Sequence, residues 1–314
     1  VTKPIAFISG SSGFIGKYLV KHLEDNGYEV RGFDLKCGQD IRTDLASLDL
    51  AMKDATYCFH LAGLADIVPS IANPVEYMST NVMGTINVLE AARKAGVKKF
   101  VYAASSSCYG KCPNLPTSES SQLKTEYPYA LSKLMGERTA MHWDAVYDIP
   151  VVSLRLFNVY GRGQYKSCYG SVFSTFMAQR ANGKPLTIVG NGTQTRDFVH
   201  VSDVCAAFIL AAESVRSAIP GYAYNVGAEI GVSVNYLAGL IGGERIYIPS
   251  RPGEPKEIYA DCTKIKMALG WKPKIKFEDG VAEMLEHLDE WKNQTVWTPE
   301  AIAEETKPWM EALS

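Results

Sequence analysis

At 314 residues, 46% hydrophobic, the chain has the material for one large core or two smaller ones. Charged residues make up 21% and nearly balance, for a net charge of −2, which excludes the basic excess of a nucleic-acid binder and the like-charge block of a disordered tail. Apolar runs such as VCAAFILAA at 204–212 are far short of a membrane span.

The opening VTKPIAFISG leads directly into a strand pattern with no signal-peptide layout, so a cytoplasmic protein is expected. IAFIS is a short apolar run ending at a glycine, as a buried parallel strand does, and FIGKYLVKHLEDNG has helical periodicity closing on Gly27. YEVRGFD, TYCFHLAG, KKFVYAAS and PVVSLRLFN read as four more strands. Between them, PVEYMSTNVMGTINVLEAARKAG and PYALSKLMGERTAMHWDAVYD read as long helices. Beyond about Tyr160 the alternation loosens into a helix (GSVFSTFMAQRANG), a strand (PLTIVG), a helix (VSDVCAAFILAAESV) and a strand, YAYNVG, expected to return to the main sheet. The tail predicts helices at about 262–269, 277–292 and 298–312. Repeated strand–helix units imply an α/β fold, a Rossmann-type doubly wound parallel sheet, with a smaller α+β substrate domain. The expected division is 1–165 with returning segments at about 200–227 for the first domain, and 166–199 with 228–314 for the second. The seven cysteines are dispersed and odd in number, and Cys108 and Cys112 lack a second pair or a nearby His, so reduced thiols and no metal site are expected.

Gly10, Gly13 and Gly16 fall between the first strand and the first helix, where glycine lets the backbone turn tightly against a pyrophosphate held at a helix N-terminus. Phe14 and Ile15 belong to the same turn. Asp34 ends the second strand and can accept hydrogen bonds from a ribose diol while repelling a 2′-phosphate, which favours NAD over NADP. Tyr129 and Lys133 share one helix face just after Pro128, a spacing that alone is ordinary for a helix.

With these motifs in order, the chain resembles the extended short-chain dehydrogenase/reductases, in the nucleotide-sugar epimerase/dehydratase group, from about residue 4 to about 292. The resemblance rests on GSSGFIG (10–16), Asp34, DI (40–41), HLAG (60–63), NVMGT (81–85), SSSCYG (105–110), YALSK (129–133), RLFNVYG (155–161), RDFVHVSD (196–203), RPGE (251–254) and LGWKP (269–273). It implies Tyr129 as acid/base, Lys133 on the nicotinamide ribose and Ser105 sharing the substrate proton. It further implies Asp40 and Ile41 beside the adenine, Leu61, Ala62 and Gly63 along the cofactor, and Asn81 supporting the sheet edge. Ser106, Ser107, Asn158, Arg196 and Arg251 are implied on the substrate, with the two arginines on its diphosphate, and the Tyr109 ring as a wall of the sugar pocket. His200 reads as structural. PLTIVGNGTQTRDF resembles the segment that grips uracil or thymine in relatives.

The expected activity is NAD-dependent inversion at C4 of a nucleotide sugar through a 4-keto intermediate, with a UDP-sugar as substrate. The alternatives are a 4,6-dehydratase or decarboxylase, a 4-dehydrogenase, or a degenerate regulator, the last disfavoured by the intact Ser105, Tyr129 and Lys133. Dehydratases of the family carry an Asp–Glu pair where this chain has Ser106 and Ser107, and a serine hydroxyl titrates too high to replace a carboxylate. Glu119 is the remaining loop carboxylate that could reach the pocket. The resemblance also implies a homodimer paired through helices at about 73–95 and 128–147, where Val82, Ile86 and Leu89 form an apolar stripe. Beyond about residue 294 the resemblance ends; Trp297 and Trp309 predict a docked amphipathic helix without an assigned role.

Overall fold

The computed structural model describes residues 3–165, 170–214 and 222–313. The first half runs β1 (Ile5–Ser9), α1 (Phe14–Asp25), β2 (Glu29–Phe33), α2 (Leu45–Met52), β3 (Tyr57–His60), α3 (Ile67–Ala72), α4 (Pro74–Met78), α5 (Gly84–Ala95), β4 (Lys99–Ser105), α6 (Pro128–Tyr147) and β5 (Val151–Leu156). Next come β6 (Asn158–Tyr160), α7 (Val172–Ala181), β7 (Leu186–Val189), β8 (Thr195–His200), α8 (Val201–Glu213) and β9 (Tyr222–Val226). The remainder is β10 (Gly231–Ser233), α9 (Val234–Ile241), β11 (Arg245–Ile248), α10 (Thr263–Leu269), α11 (Phe277–Glu286), α12 (Pro299–Glu305) and α13 (Lys307–Leu313).

Six strands form one parallel sheet in the order β2-β1-β3-β4-β5-β9. YAYNVG does return to this sheet, beside β5. Successive side chains of a strand point to opposite faces. Phe7 therefore packs with Phe33, Leu48, Leu89 and Phe100 under α2 and α5, while Ile8 packs with Leu19, Val204 and Phe208 under α1 and α8. Chain order reverses across β1 and β3, which opens a crevice at their carboxyl ends. A third core, with Phe173, Phe198, Leu237 and Trp291, holds the smaller part of the molecule around the β10-β8-β6 and β11-β7 sheets.

Three elements differ from their sequence expectations. The long helix expected at 74–96 is α4 and α5 joined by a π turn at Ser79–Met83, where the buried Asn81 turns its amide onto Leu64 and Ser132. The strand expected at 150–158 divides at Phe157: β5 stays in the main sheet and β6 pairs with β8, so the chain steps from one sheet to the other at the cleft. The tail helix breaks at Thr306, next to Pro308, which has no N–H to continue it.

Candidate active site

At the cofactor end, Gly10 has φ +77°, and a Cβ there would lie 2.7 Å from the Ala62 nitrogen. A Cβ on Gly16 would lie 2.1 Å from the Gly10 oxygen, so the turn closes this tightly only with glycine. Gly13 caps α1 without a side-chain acceptor, leaving the first amides of Phe14, Ile15 and Gly16 aimed out of the helix end. Asp34, 7% exposed, is oriented by accepting from the Ser12 and Lys36 nitrogens, each at 2.8 Å. A glycine cradle at a helix N-terminus with a fixed carboxylate beyond it fits a dinucleotide diphosphate and ribose. Asp40 is more occupied than expected: both its oxygens are forked by Arg42, at 2.7 to 3.0 Å, which leaves it a shaping role beside Ile41.

Leu61 leaves the sheet with its nitrogen on the Ser9 oxygen, and Ala62 and Gly63 follow along the crevice. A Cβ on Gly63 would lie 2.9 Å from Asn81 Oδ1 and 3.8 Å from Lys133 Nζ, so its absence lets the loop, Asn81 and Lys133 converge. Asn81 accepts from the Leu64 nitrogen at 2.8 Å and donates to the Leu64 oxygen and to Ser132 Oγ, each at 2.9 Å. Ser132 in turn donates to the Tyr129 oxygen at 2.8 Å. Beneath lies a second polar chain, Ser9–His60–Thr85, in which burial and the Lys133 charge push His60 down to about 3, keeping it neutral.

Pro128 starts α6, placing Tyr129 in its first turn and Lys133 one turn later. Ser105 and Ser107 lie beside the Tyr129 phenol in the cleft lining, and Ser107 Oγ donates to Ser105 Oγ at 2.8 Å. Burial raises the phenol above its ordinary value; the two serines lower it, and nearby Asp66 raises it. The Lys133 ammonium sits over the Tyr102 ring at 4.4 Å, and burial lowers it to about 8 against the opposing pull of Glu137. Burial thus disfavours the phenolate, and cationic neighbours must offset that.

A cleft of about 320 Å³ opens from this centre and joins a smaller one of about 110 Å³ toward α7 and β7. Ser105, Ser106, Ser107 and Tyr129 line the first; Asn158, Arg196 and Arg251 line both. Two expectations are corrected, for Tyr109 and Glu119. Tyr109 does not wall the cleft: it is buried, donates to Asn225 Oδ1 at 2.7 Å and accepts from Arg155, so Gly110 lines that surface instead. Glu119 turns away to accept from the Asn225 nitrogen at 2.8 Å. Arg196 reaches the cleft with its charge already engaged by Glu254 at 2.5 Å and its other nitrogen on two backbone oxygens. His200 caps α8 through its ring nitrogen and sits outside the cleft lining, as a structural residue does.

The cleft also holds residues that the sequence reading missed: Asp66, Glu126, Tyr127, Glu254 and Trp309. Glu126 and Tyr127 directly precede the YALSK motif, and that adjacency was the available signal. Nothing local marked Asp66 or Trp309.

The parallel sheet, the glycine cradle and the Ser–Tyr–Lys centre define a dinucleotide-binding oxidoreductase-type fold. Residues 6–227 match the NAD dependent epimerase/dehydratase family. A putative UDP-glucose 4-epimerase of Methanocaldococcus jannaschii is 34% identical over 88% of this chain and 96% of its own. Among solved structures, the UDP-glucose 4-epimerase of Thermotoga maritima with UDP-glucose has a TM-score of 0.85 at 29% identity, covering 91% of this chain and 99% of that one. MoeE5, solved with UDP-glucuronic acid and NAD, has a TM-score of 0.82 at 32% identity, covering 90% and 97%. The chain belongs to the NAD dependent epimerase/dehydratase family.

Proposed function

We propose that this protein is a 4-epimerase of a UDP-sugar, working with NAD in the glycine cradle through Ser105, Tyr129 and Lys133. The observation that carries the reading is the convergence of Ser105, Ser107 and Tyr129 on one cleft, with Ser107 Oγ donating to Ser105 Oγ and serines at 106 and 107. Tyr129 takes the proton of the C4 hydroxyl while Ser105 holds that oxygen in place. NAD held in the glycine cradle would supply the acceptor, and then the donor, for the C4 hydride. Lys133 sets the electrostatics of the phenol and holds the cofactor's ribose. Arg251 and Asn158 grip the diphosphate, so the keto-sugar can turn its other face to the nicotinamide side without leaving. The proton then returns from Tyr129 to the C4 oxygen.

A second reading, 4,6-dehydration, is favoured by one finding: Asp66 and Glu126 bring carboxylates to the same cleft. NMR of the product formed from a UDP-sugar in deuterated water separates the two. Epimerisation leaves C5 protonated and C6 hydroxylated. Deuterium at C5 with a new C6 methyl overturns the proposal.

The protein is further read as cytoplasmic, and among the described residues no helix is long and apolar enough to cross a membrane. It is also read as a homodimer through α5 and α6. Leu89 belongs to the protein's own core, while Leu131, Met135, Val146 and Tyr147 of α6 are exposed, as is Met83 just before α5. The proposed division of labour gives the six-stranded sheet to the cofactor and the third core to the nucleotide sugar. A single monomeric mass by light scattering at micromolar concentration overturns the dimer.

A further inference from the structure

The segment after residue 294, for which the sequence offered no role, lies on the substrate side of the cleft. Its start is pinned where Gln179 of α7 donates to the Trp297 oxygen at 2.7 Å, and Thr298 caps α12. α13 then packs against α3, the helix that follows Asp66 and carries Val68, both of which line the cleft. Trp309 is 6% exposed and itself lines the cleft. Its indole nitrogen donates to the Pro252 oxygen at 2.8 Å, and the Arg251 guanidinium lies over its ring at 5.4 Å. Its ring is 6.3 Å from that of Tyr127, which stacks on Tyr129 at 6.4 Å with the planes 8° apart. One indole thus touches the residue that faces the diphosphate and the residue that leans on the acid/base.

We propose that α13 is a wall of the sugar site and that Trp309 is a specificity-determining residue: it limits the bulk of the sugar accepted beside Tyr127 and holds Arg251 toward the diphosphate. A planar, buried ring is suited to both tasks, because it fills volume with little side-chain freedom and binds a guanidinium on its face. The polar anchor to Pro252 fixes which way that face looks. This proposal rests on the UDP-sugar reading of the same cleft.

The test compares wild type with Trp309→Ala and Trp309→Phe, using UDP-galactose, the bulkier UDP-N-acetylgalactosamine, and UDP alone. Trp309→Ala is expected to shift the ratio of kcat/KM about tenfold toward the N-acetylated sugar, the scale on which small changes in a pocket discriminate. It should also weaken UDP severalfold by calorimetry, and Trp309→Phe should restore most of both. Equal loss for both sugars, or a ratio and a UDP affinity within twofold of wild type, overturns the proposal. If thermal melting shows Trp309→Ala unfolded, Trp309→Leu decides it by the same ratio and the same UDP titration. A wild type that converts neither sugar overturns the epimerase reading, and UDP affinity alone then judges Trp309.

Discussion

The two ends of the cleft are assembled on different terms. At the cofactor end the glycine cradle is made of backbone amides at the start of α1 with one carboxylate beyond them, all within the first 34 residues. At the substrate end the lining comes from side chains at positions 66, 126, 158, 196, 251 and 309, carried by the loops before α3 and α6, by β6 and β8, by the loop after β11 and by α13. A site made of backbone needs glycine at fixed spacing and tolerates little else. A site made of distant side chains can change its shape through any one of several segments. The difference teaches where this protein is constrained and where it is free to vary.

Tyr129 stands where the two ends meet, so its loss should stop the reaction between them while each end keeps its ligand. Tyr129→Phe is expected to lower turnover by about 10²–10⁴-fold while UDP binding by calorimetry stays near wild type. Retained turnover would move the proton transfer to another group. Arg251→Ala should act on the substrate end alone, raising KM about 10- to 100-fold, the scale of a hydrogen bond to a charged group, with NAD content unchanged. Gly16→Ala should act on the cofactor end alone. The 2.1 Å clash with the Gly10 oxygen is expected to cost about 1–3 kcal/mol in chemical denaturation and to strip NAD from the purified protein. A variant that keeps both its NAD and its stability would show that the cradle has room that its geometry denies.

The smallest effect sharpens the comparison through pH. Burial lowers Lys133 to about 8, so it is charged below that pH and neutral above it. NAD affinity measured by fluorescence titration should fall modestly as pH passes about 8, and Lys133→Met should flatten that limb. Stability runs the other way. Between about 8 and the ordinary lysine value the unfolded chain binds more protons than the folded one, so this group makes unfolding costlier as pH rises. Denaturation midpoints measured across that window in wild type and Lys133→Met would show the slope or its absence.

The same contrast decides what was legible. The six parallel strands, the returning β9 and the cradle could be read because each is a local pattern of apolar runs and glycines. The YALSK spacing could be read with its neighbours because Pro128 sets a helix start. The π turn at Ser79–Met83 was hidden, since it follows from Asn81 finding partners in Leu64 and Ser132, which are distant in sequence. Tyr109 was misplaced for the same reason: Arg155 and Asn225, both far along the chain, draw its hydroxyl into the core. The pairing of Arg196 with Glu254 was hidden, since the two lie far apart in the chain. Trp309 could be recognised as a buried aromatic, but only the tertiary fold says which surface buries it.

Asn81 has a consequence for how this enzyme could acquire new preferences. Its one amide bolts the loop after β3 to the first turn of α6, so the gap between Gly63 and Tyr129 has no adjustable screw. The reacting centre behaves as the fixed jaw of a vice. Only the opposite jaw, from Arg251 to Trp309, can be reset, and drift in substrate choice should therefore accumulate there while the spacing of the fixed jaw stays as it is.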